Sequence, residues 1–451
     1  MFLLGGKTKR RTIFLVIIMI MSILVILLKN EETYVVESMS QFANSFVENH
    51  ARYQHNKKQE IKNSSTYWKS QKILMKLAGK IHSTATSTAM QDKFEDNQSA
   101  TETTYDAYSE ALIKTRLRER EAKIEEIYHF RKTHFSLKHL PKVIGIGVKK
   151  CGTGGLITFL AKHPLIRIPK IHSGETFFFT EKPKTGPYTY RSYFPPTNKM
   201  ELGMEKTPIY FDSSNINLAS TMKKMVPKAK ILLMVCDPTM RSFSDYIHEG
   251  DQHPDSPAGI VTKQNTFEEF IDKYVPKMQL LLQQSHDNHT SYGDDYKTQI
   301  MLRGLRKTIP EATLITTGLY IYHIQTWKTF YDKSNFLIVD GEEFIKNTGA
   351  VIEQIQEFLG IPKLVWKEDF VKHPDTGFYC YRKLTEKHLN GSHVETDDEL
   401  RTSLKCLQKN KGRTRNGVKH ASPEALEKLS QFYKPYNKAF YQETGKTYNW
   451  L

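Results

Sequence analysis

The apolar positions of the chain fall into two regimes. Near the N-terminus, Ile13 to Leu28 is unbroken apart from Ser22, and Lys7, Lys9, Arg10 and Arg11 precede it. Its sixteen residues would span about 24 Å as a helix, close to the roughly 27 Å core of an early secretory bilayer. The basic residues before the run place the N-terminus in the cytosol. The run is longer than a usual signal-peptide core, and no small-x-small cleavage site follows, so an uncleaved anchor is expected rather than a cleaved leader. Residues 1–12 then form a cytosolic tail, 13–28 a signal-anchor helix, and the rest of the chain is lumenal. Residues 29–138 are polar and charged, and read as a lumenal stem. Within them Tyr108, Leu112, Leu117, Ile124 and Tyr128 give a helix-like stripe too irregular for a coiled coil, expected as a solvated spacer.

From Lys142 the pattern changes. Lys142 to Val148 (KVIGIGV) reads as a buried strand, KKCGTGG as a glycine turn, and Leu156, Phe159 and Leu160 as the stripe of a helix ending at His163-Pro164. Ala229 to Val235 and Asn335 to Val339 are two further buried-strand patterns. The second leads into a helix bearing Val351, Ile352, Ile355, Phe358 and Leu359. Strand, turn and helix in this order open a parallel sheet, so residues 139–451 are expected to form one α/β domain with a central parallel sheet and flanking helices.

Composition narrows the partners. A net charge of +16 and a pI near 9.3 call for a polyanion: nucleic acid, anionic lipid or an acidic glycan. Four cysteines are too few for a disulfide scaffold and show no C-x-x-C metal pattern. Sequons at Asn63, Asn97, Asn288 and Asn390 fit a glycosylated lumenal chain. A lumenal address removes nucleic acid and leaves a glycan.

The turn after the first strand carries the first chemistry. Backbone N–H groups at a helix N-terminus, made approachable by glycine, form an anion site, and Lys149, Lys150, Gly152, Thr153 and Gly154 add cations and a hydroxyl. G-x-x-x-x-G-K-[ST] is absent, so this is not a nucleoside-triphosphatase loop. A purely structural glycine turn is the plain alternative.

With this turn, GETFFF at Gly174, EKTPIYF at Glu205, DPTMRSFSDY at Asp237, GFYC at Gly377, KCLQKNKGR at Lys405 and the closing FYKPYNKAFYQETGKTYNW, residues 140–451 resemble the heparan sulfate glucosaminyl sulfotransferases in colinear order. The layout is most like the 3-O-sulfotransferase branch; YFDSSNINLASTMKKMVPKAKILLM also resembles the N-sulfating enzymes. The resemblance implies a Golgi type II membrane protein with a P-loop-like fold that takes 3′-phosphoadenosine 5′-phosphosulfate (PAPS) as co-substrate, heparan sulfate as acceptor, and no metal. It implies that Lys150, Cys151, Gly152, Thr153 and Gly154 line the 5′-phosphosulfate. Cys236 and Ser244 fall in the 3′-phosphate motif, and Lys411, Gly412, Arg413 and Thr414 in a late loop over the nucleotide. Glu175 matches the catalytic base and Lys206 the lysine between donor and acceptor; Cys380 and Cys406 match a disulfide pair.

The chain departs from that pattern at several positions. Gly154 stands where an arginine often follows the threonine, and Phe177 and Thr180 replace polar residues expected near the acceptor. Two further departures are cysteines. Cys151 stands where the loop usually has glycine, and Cys236 where an arginine usually precedes Asp-Pro. Arginine makes a charge-assisted fork that cysteine cannot reproduce, leaving Arg241 as a candidate substitute. Cys151 and Cys236 are expected as small buried residues rather than a second bridge. Transfer to the 3-hydroxyl is the expected reaction; N-sulfation, or glycan binding without catalysis, are the alternatives.

Overall fold

Val143–Gly147 forms the first strand, β1, and all five of its residues are buried. The structure is a computed structural model that describes residues 98–181, 185–286, 290–292, 295–385, 404–407 and 421–450. The segment read as an anchor, residues 13–28, and all four sequon asparagines lie outside the described residues. Among the described residues no helix is long and apolar enough to cross a membrane.

Four strands join β1: β2 (Ile166–Arg167), β3 (Leu202–Lys206), β4 (Lys230–Val235) and β5 (Phe336–Asp340). The order is β2-β3-β1-β4-β5, and every pairing is parallel. The expected α/β class and its central parallel sheet are therefore present. Successive connections leave β1 toward β2 and β3, then cross to β4 and β5, so the switch point of the sheet lies at β1. In open α/β sheets the crevice at the carboxyl ends of the strands beside such a point is where ligands bind.

Ten helices of two turns or more surround the sheet among the described residues: α1 (Gln98–Thr133), α2 (Thr153–Leu160), α3 (Leu218–Met225), α4 (Pro238–Gln252), α5 (Pro257–Gln264), α6 (Phe267–Ser285), α7 (Tyr296–Thr308), α8 (Tyr320–Phe330), α9 (Thr348–Leu359) and α10 (Pro423–Thr444). Their starts follow local chemistry: Asp237, Ser256, Asp295 and Ser422 cap α4, α5, α7 and α10, and Thr266 with Glu269 forms a capping box on α6. The closing aromatic segment forms α10 and packs on α4, α6 and α8. An antiparallel pair, β6 (Phe370–Lys372) and β7 (Tyr379–Tyr381), lies outside the main sheet.

The helix read as a solvated spacer is packed over its second half. Leu117 joins Trp366 and Leu384 in one apolar cluster, and Ile124 and Ile127 join Leu165 and Leu364 in another. Between them Arg120, 2 % exposed, reaches both oxygens of buried Asp369 at 2.9 and 3.0 Å and stacks on Trp366 at 4.1 Å. Asp369 also accepts from the amides of Trp366 and Leu384 at 2.8 and 2.6 Å. A buried ion pair holds only when its remaining lone pairs are satisfied, which these amides accomplish. α1 is thus tied to the segment that carries β6 and β7.

Candidate functional site

The glycine turn takes up the conformation that its composition allows. Gly152 sits at the N-cap of α2 with φ +95°, and no side chain caps the helix. The first N–H groups of a helix have no intrahelical acceptor, so those at Thr153 and Gly154 suit an external anion. Lys150 adopts φ +80°, a left-handed conformation rare for a residue with a side chain. A Cβ at Gly155 would come within 3.1 Å of Leu407 and 3.4 Å of Phe344, so the glycine lets both approach the first turn of α2. The chain before the late loop thereby returns to the turn. Lys411, Gly412, Arg413 and Thr414 themselves lie outside the described residues.

Lys149 leans toward α4, where it pairs with Asp245 at 3.0 Å and with Glu249. Burial opposes its charge, but the two carboxylates outweigh that and hold the ammonium above its usual range. Ser244, one residue before Asp245, is half-buried on the same helix. Arg241 is not available as a substitute for the missing arginine. It is 1 % exposed and bound to Asp245 at 3.0 Å and to the Leu314 carbonyl.

Cys151 and Cys236 correct the sequence expectation directly. Both are buried, as expected, but they are bonded to each other, with Cα atoms 5.3 Å apart across 85 residues of chain. Parallel β1 and β4 bring the turn and the end of β4 side by side, which sequence separation conceals. Closing so long a loop stabilises by about 4–5 kcal/mol in the chain-entropy account. Gly341 makes room for the bridge, since a Cβ there would lie 2.9 Å from the Cys151 carbonyl and 3.3 Å from the Cys236 Cβ. The second pair agrees with the resemblance: Cys380 and Cys406 are joined, with Cα atoms 4.4 Å apart.

Glu175 and Lys206, 31 residues apart, form an ion pair. Lys206 ends β3 in register with Gly145 of β1, and a Cβ at Gly145 would meet its side chain at 3.0 Å. The Lys206 side chain is 5 % exposed and that of Glu175 23 %, so the carboxylate is the more open of the two. The turn before Glu175 is sharply bent: His172, Ser173 and Gly174 have φ of 40°, 54° and 88°, and Phe177 follows at 52°. Among the described residues, every non-glycine with positive φ lies in this turn or at Lys150. Such strain persists only where the surroundings over-determine it, and it gathers at working sites.

Residues 140–438 match the family described as Sulfotransferase domain. The chain belongs to that family. Over 314 residues it is 29 % identical to the mouse heparan sulfate glucosamine 3-O-sulfotransferase 3B1, covering 69 % of this chain and 65 % of the relative. Over 313 residues it is 30 % identical to the human 3B1 enzyme, with the same shares. The human 3-O-sulfotransferase 6 is 27 % identical over 314 residues, 69 % of this chain and 74 % of the relative. The chain thus spans slightly under two thirds of the 3B1 enzymes it matches. Of solved structures, a sulfotransferase from Alicyclobacillus acidocaldarius aligns over 69 % of this chain and 98 % of its own at 17 % identity, with a TM-score of 0.43.

In this sulfotransferase domain the sequence reading passed over Glu205. It is fully buried on β3 and collects an exceptional set of donors: the Thr176 amide at 3.2 Å, the Thr207 hydroxyl at 3.0 Å, and the hydroxyls of Thr176, Tyr190 and Tyr210. Burial raises its pKa against those hydrogen bonds. Because Thr176 follows Glu175, this one carboxylate holds the bent turn against β3. The signal was the charge itself: Glu205 and Lys206 are consecutive buried charges in a strand. A small cleft of about 140 Å³ between α4 and α5, lined by Tyr246, Ile247, Gly250, Asp251, Thr262 and Lys263, includes none of the expected site residues.

Proposed function

We propose that this sulfotransferase domain moves a sulfuryl group from PAPS to the 3-hydroxyl of glucosamine units in heparan sulfate. The supporting observation is that Glu175 and Lys206 meet at the carboxyl edge of β3, beside the strand that carries the glycine turn. The relatives named above are heparan sulfate glucosamine 3-O-sulfotransferases, which supports this acceptor class and the 3-hydroxyl as its position. In this reading residues 13–28 anchor the chain in the Golgi membrane and the domain works in the lumen.

The residues fit such a donor. An uncapped helix N-terminus behind left-handed Gly152, with Lys150 beside it, suits a doubly charged phosphosulfate. When bound, PAPS supplies an activated sulfuryl group whose phosphate leaves as an anion. Lys150, the amides of Gly152 and Gly154 and the Thr153 hydroxyl hold the 5′-phosphosulfate end. Ser244 binds the 3′-phosphate, and Lys411, Gly412, Arg413 and Thr414 add further contacts to the nucleotide. Glu175 accepts the proton of the attacking hydroxyl, and Lys206 places positive charge at the transferring group. The Glu175–Lys206 pair keeps both groups aimed until donor and acceptor divide them. Glu205 holds Thr176, and through it the base.

The test uses radiolabelled PAPS and heparan sulfate with the full chain, followed by disaccharide mapping. Label on the 3-oxygen of glucosamine is expected. Label on nitrogen would move the chain to the N-sulfating class. Transfer no greater than that of Glu175→Gln would leave a glycan-binding protein without catalysis.

A further inference from the structure

Two of the positions at which the chain departs from the enzymes it resembles are the two ends of one bond. Cys151 lies inside the glycine turn, and Cys236 lies between the last residue of β4 and the Asp237 cap of α4. Each departure alone looks like a loss, of a glycine from one motif and of a charge from another. Joined, they connect the turn that faces the 5′ end of the donor to the root of the helix that bears Ser244.

The surroundings are built around this connection. The Tyr320 hydroxyl lies 3.6 Å from the Cys151 sulfur and donates to the Cys236 carbonyl at 2.9 Å, touching both halves of the bridge. Gly341 is small where a side chain would strike the Cys151 carbonyl and the Cys236 Cβ. Val148 donates to the Met234 carbonyl at 2.7 Å, so the β1–β4 ladder runs up to the bridge. On the other flank Lys149 pairs with Asp245 of α4 at 3.0 Å. The turn is therefore fastened to the β4–α4 unit twice, by charge at residue 149 and by a covalent bond at 151. Between the two fastenings stands Lys150, at φ +80°. A lysine left to itself would relax out of that conformation.

We propose that the Cys151–Cys236 disulfide is a positioning element of the donor site: it fixes Lys150 and the α2 N-terminus relative to α4 by a covalent link where the resembling enzymes place a glycine and an arginine. This rests on the reading of the turn as the PAPS site. The bridge makes donor affinity depend on oxidation, because an open bridge lets Lys150 and the first turn of α2 move independently of Ser244. Preorganisation of this kind lowers the ordering cost of binding. Linkage makes the effect reciprocal: a nucleotide that binds the bridged form more tightly resists opening of the bridge by the same factor.

The experiment measures 3′-phosphoadenosine 5′-phosphate binding by calorimetry to the oxidised full chain and to Cys151→Ser/Cys236→Ser. About tenfold weaker binding by the variant, with its circular dichroism unchanged, is expected. A second measurement needs no variant. The oxidised chain is equilibrated in dithiothreitol buffers, where two electrons from the reagent convert the bridge to two thiols as the reagent closes to its own cyclic disulfide. Alkylation and mass spectrometry then count Cys151 thiols with and without the nucleotide. The nucleotide should shift the opening midpoint toward more reductant by the same roughly tenfold factor, and leave Cys380–Cys406 less affected. Equal affinities, or an unshifted midpoint, would reduce the bridge to a staple of the fold and overturn the proposal. If the oxidised chain itself bound no nucleotide, the PAPS reading would fall and take this inference with it.

Discussion

The turn proposed to hold the donor and the turn proposed to serve the acceptor are both bent into left-handed backbone, yet they are held by unlike means. On the donor side Lys150 stands between an ion pair at Lys149 and a covalent bond at Cys151. On the acceptor side His172, Ser173, Gly174 and Phe177 surround Glu175, and hydrogen bonds converging on buried Glu205 keep the turn in place. The first arrangement spreads its support over two fastenings, so losing one loosens the turn without releasing it. The second concentrates its support on one carboxylate, so a single change there should propagate to Glu175.

The comparison breaks most visibly if the acceptor side is disarmed chemically. Glu175→Gln keeps the shape and removes the proposed proton acceptor, and should cut turnover by about 10²- to 10⁴-fold with nucleotide affinity intact. Steady-state rates with labelled donor check this; a loss under threefold contradicts the role.

Arg120→Ala touches neither turn and sharpens the contrast by separating fold from site. It strands Asp369 without its partner, and chemical denaturation should show a loss of about 3–5 kcal/mol. Nucleotide affinity measured well below the melting temperature should not change.

Glu205→Gln tests the single-carboxylate support. It exchanges an acceptor-only group for one that also donates, so some of the donors from Thr176, Thr207 and Tyr190 lose their partner. Turnover should fall about tenfold through a displaced Glu175, with the KM for PAPS nearly unchanged, and stability by about 1–3 kcal/mol. A rise in the donor KM instead would show that the two turns are not separately held.

The smallest effect concerns pH and lies outside both turns. His163 and His323 are buried, and burial lowers each pKa from 6.5 to about 4. The neutral His163 ring uses both nitrogens, accepting from the Leu165 amide at 3.1 Å and donating to the Pro362 carbonyl at 2.9 Å. Between pH 6.5 and 4 the unfolded chain binds more protons than the folded one, so stability is full above the window and falls as pH drops through it. The loss is about 1 kcal/mol per histidine at pH 5.5. Urea midpoints against pH should show it, and His163→Gln should remove one share.

The same contrast explains what was legible from sequence. β1, β4 and β5 are apolar runs, so the sheet and its parallel class could be read directly. β2 has two residues, and β3 buries Gly203, Glu205 and Lys206, a composition that reads as surface. The site overrides the pattern there. α1 looked solvated because Arg120 is buried against a partner 249 residues away. The Cys151–Cys236 bridge was missed because strand adjacency, which sequence does not display, brings its ends together; the available signal was that two of the motif departures were cysteine. Glu175 and Lys206 were named from sequence and do meet. Ser244 lies on α4, and the late-loop residues lie outside the described chain.

If the glycine turn binds the donor while Glu175 serves the acceptor, changes at the two places should separate in nucleotide affinity. Calorimetry of 3′-phosphoadenosine 5′-phosphate against the full chain, Lys150→Ala and Glu175→Gln tests that division in one series. Affinity should weaken about 10- to 100-fold with the lysine change, the worth of a charged hydrogen bond, and stay within about twofold of the parent with the glutamate change. Equal affinities in all three, or a loss confined to Glu175→Gln, would contradict that division.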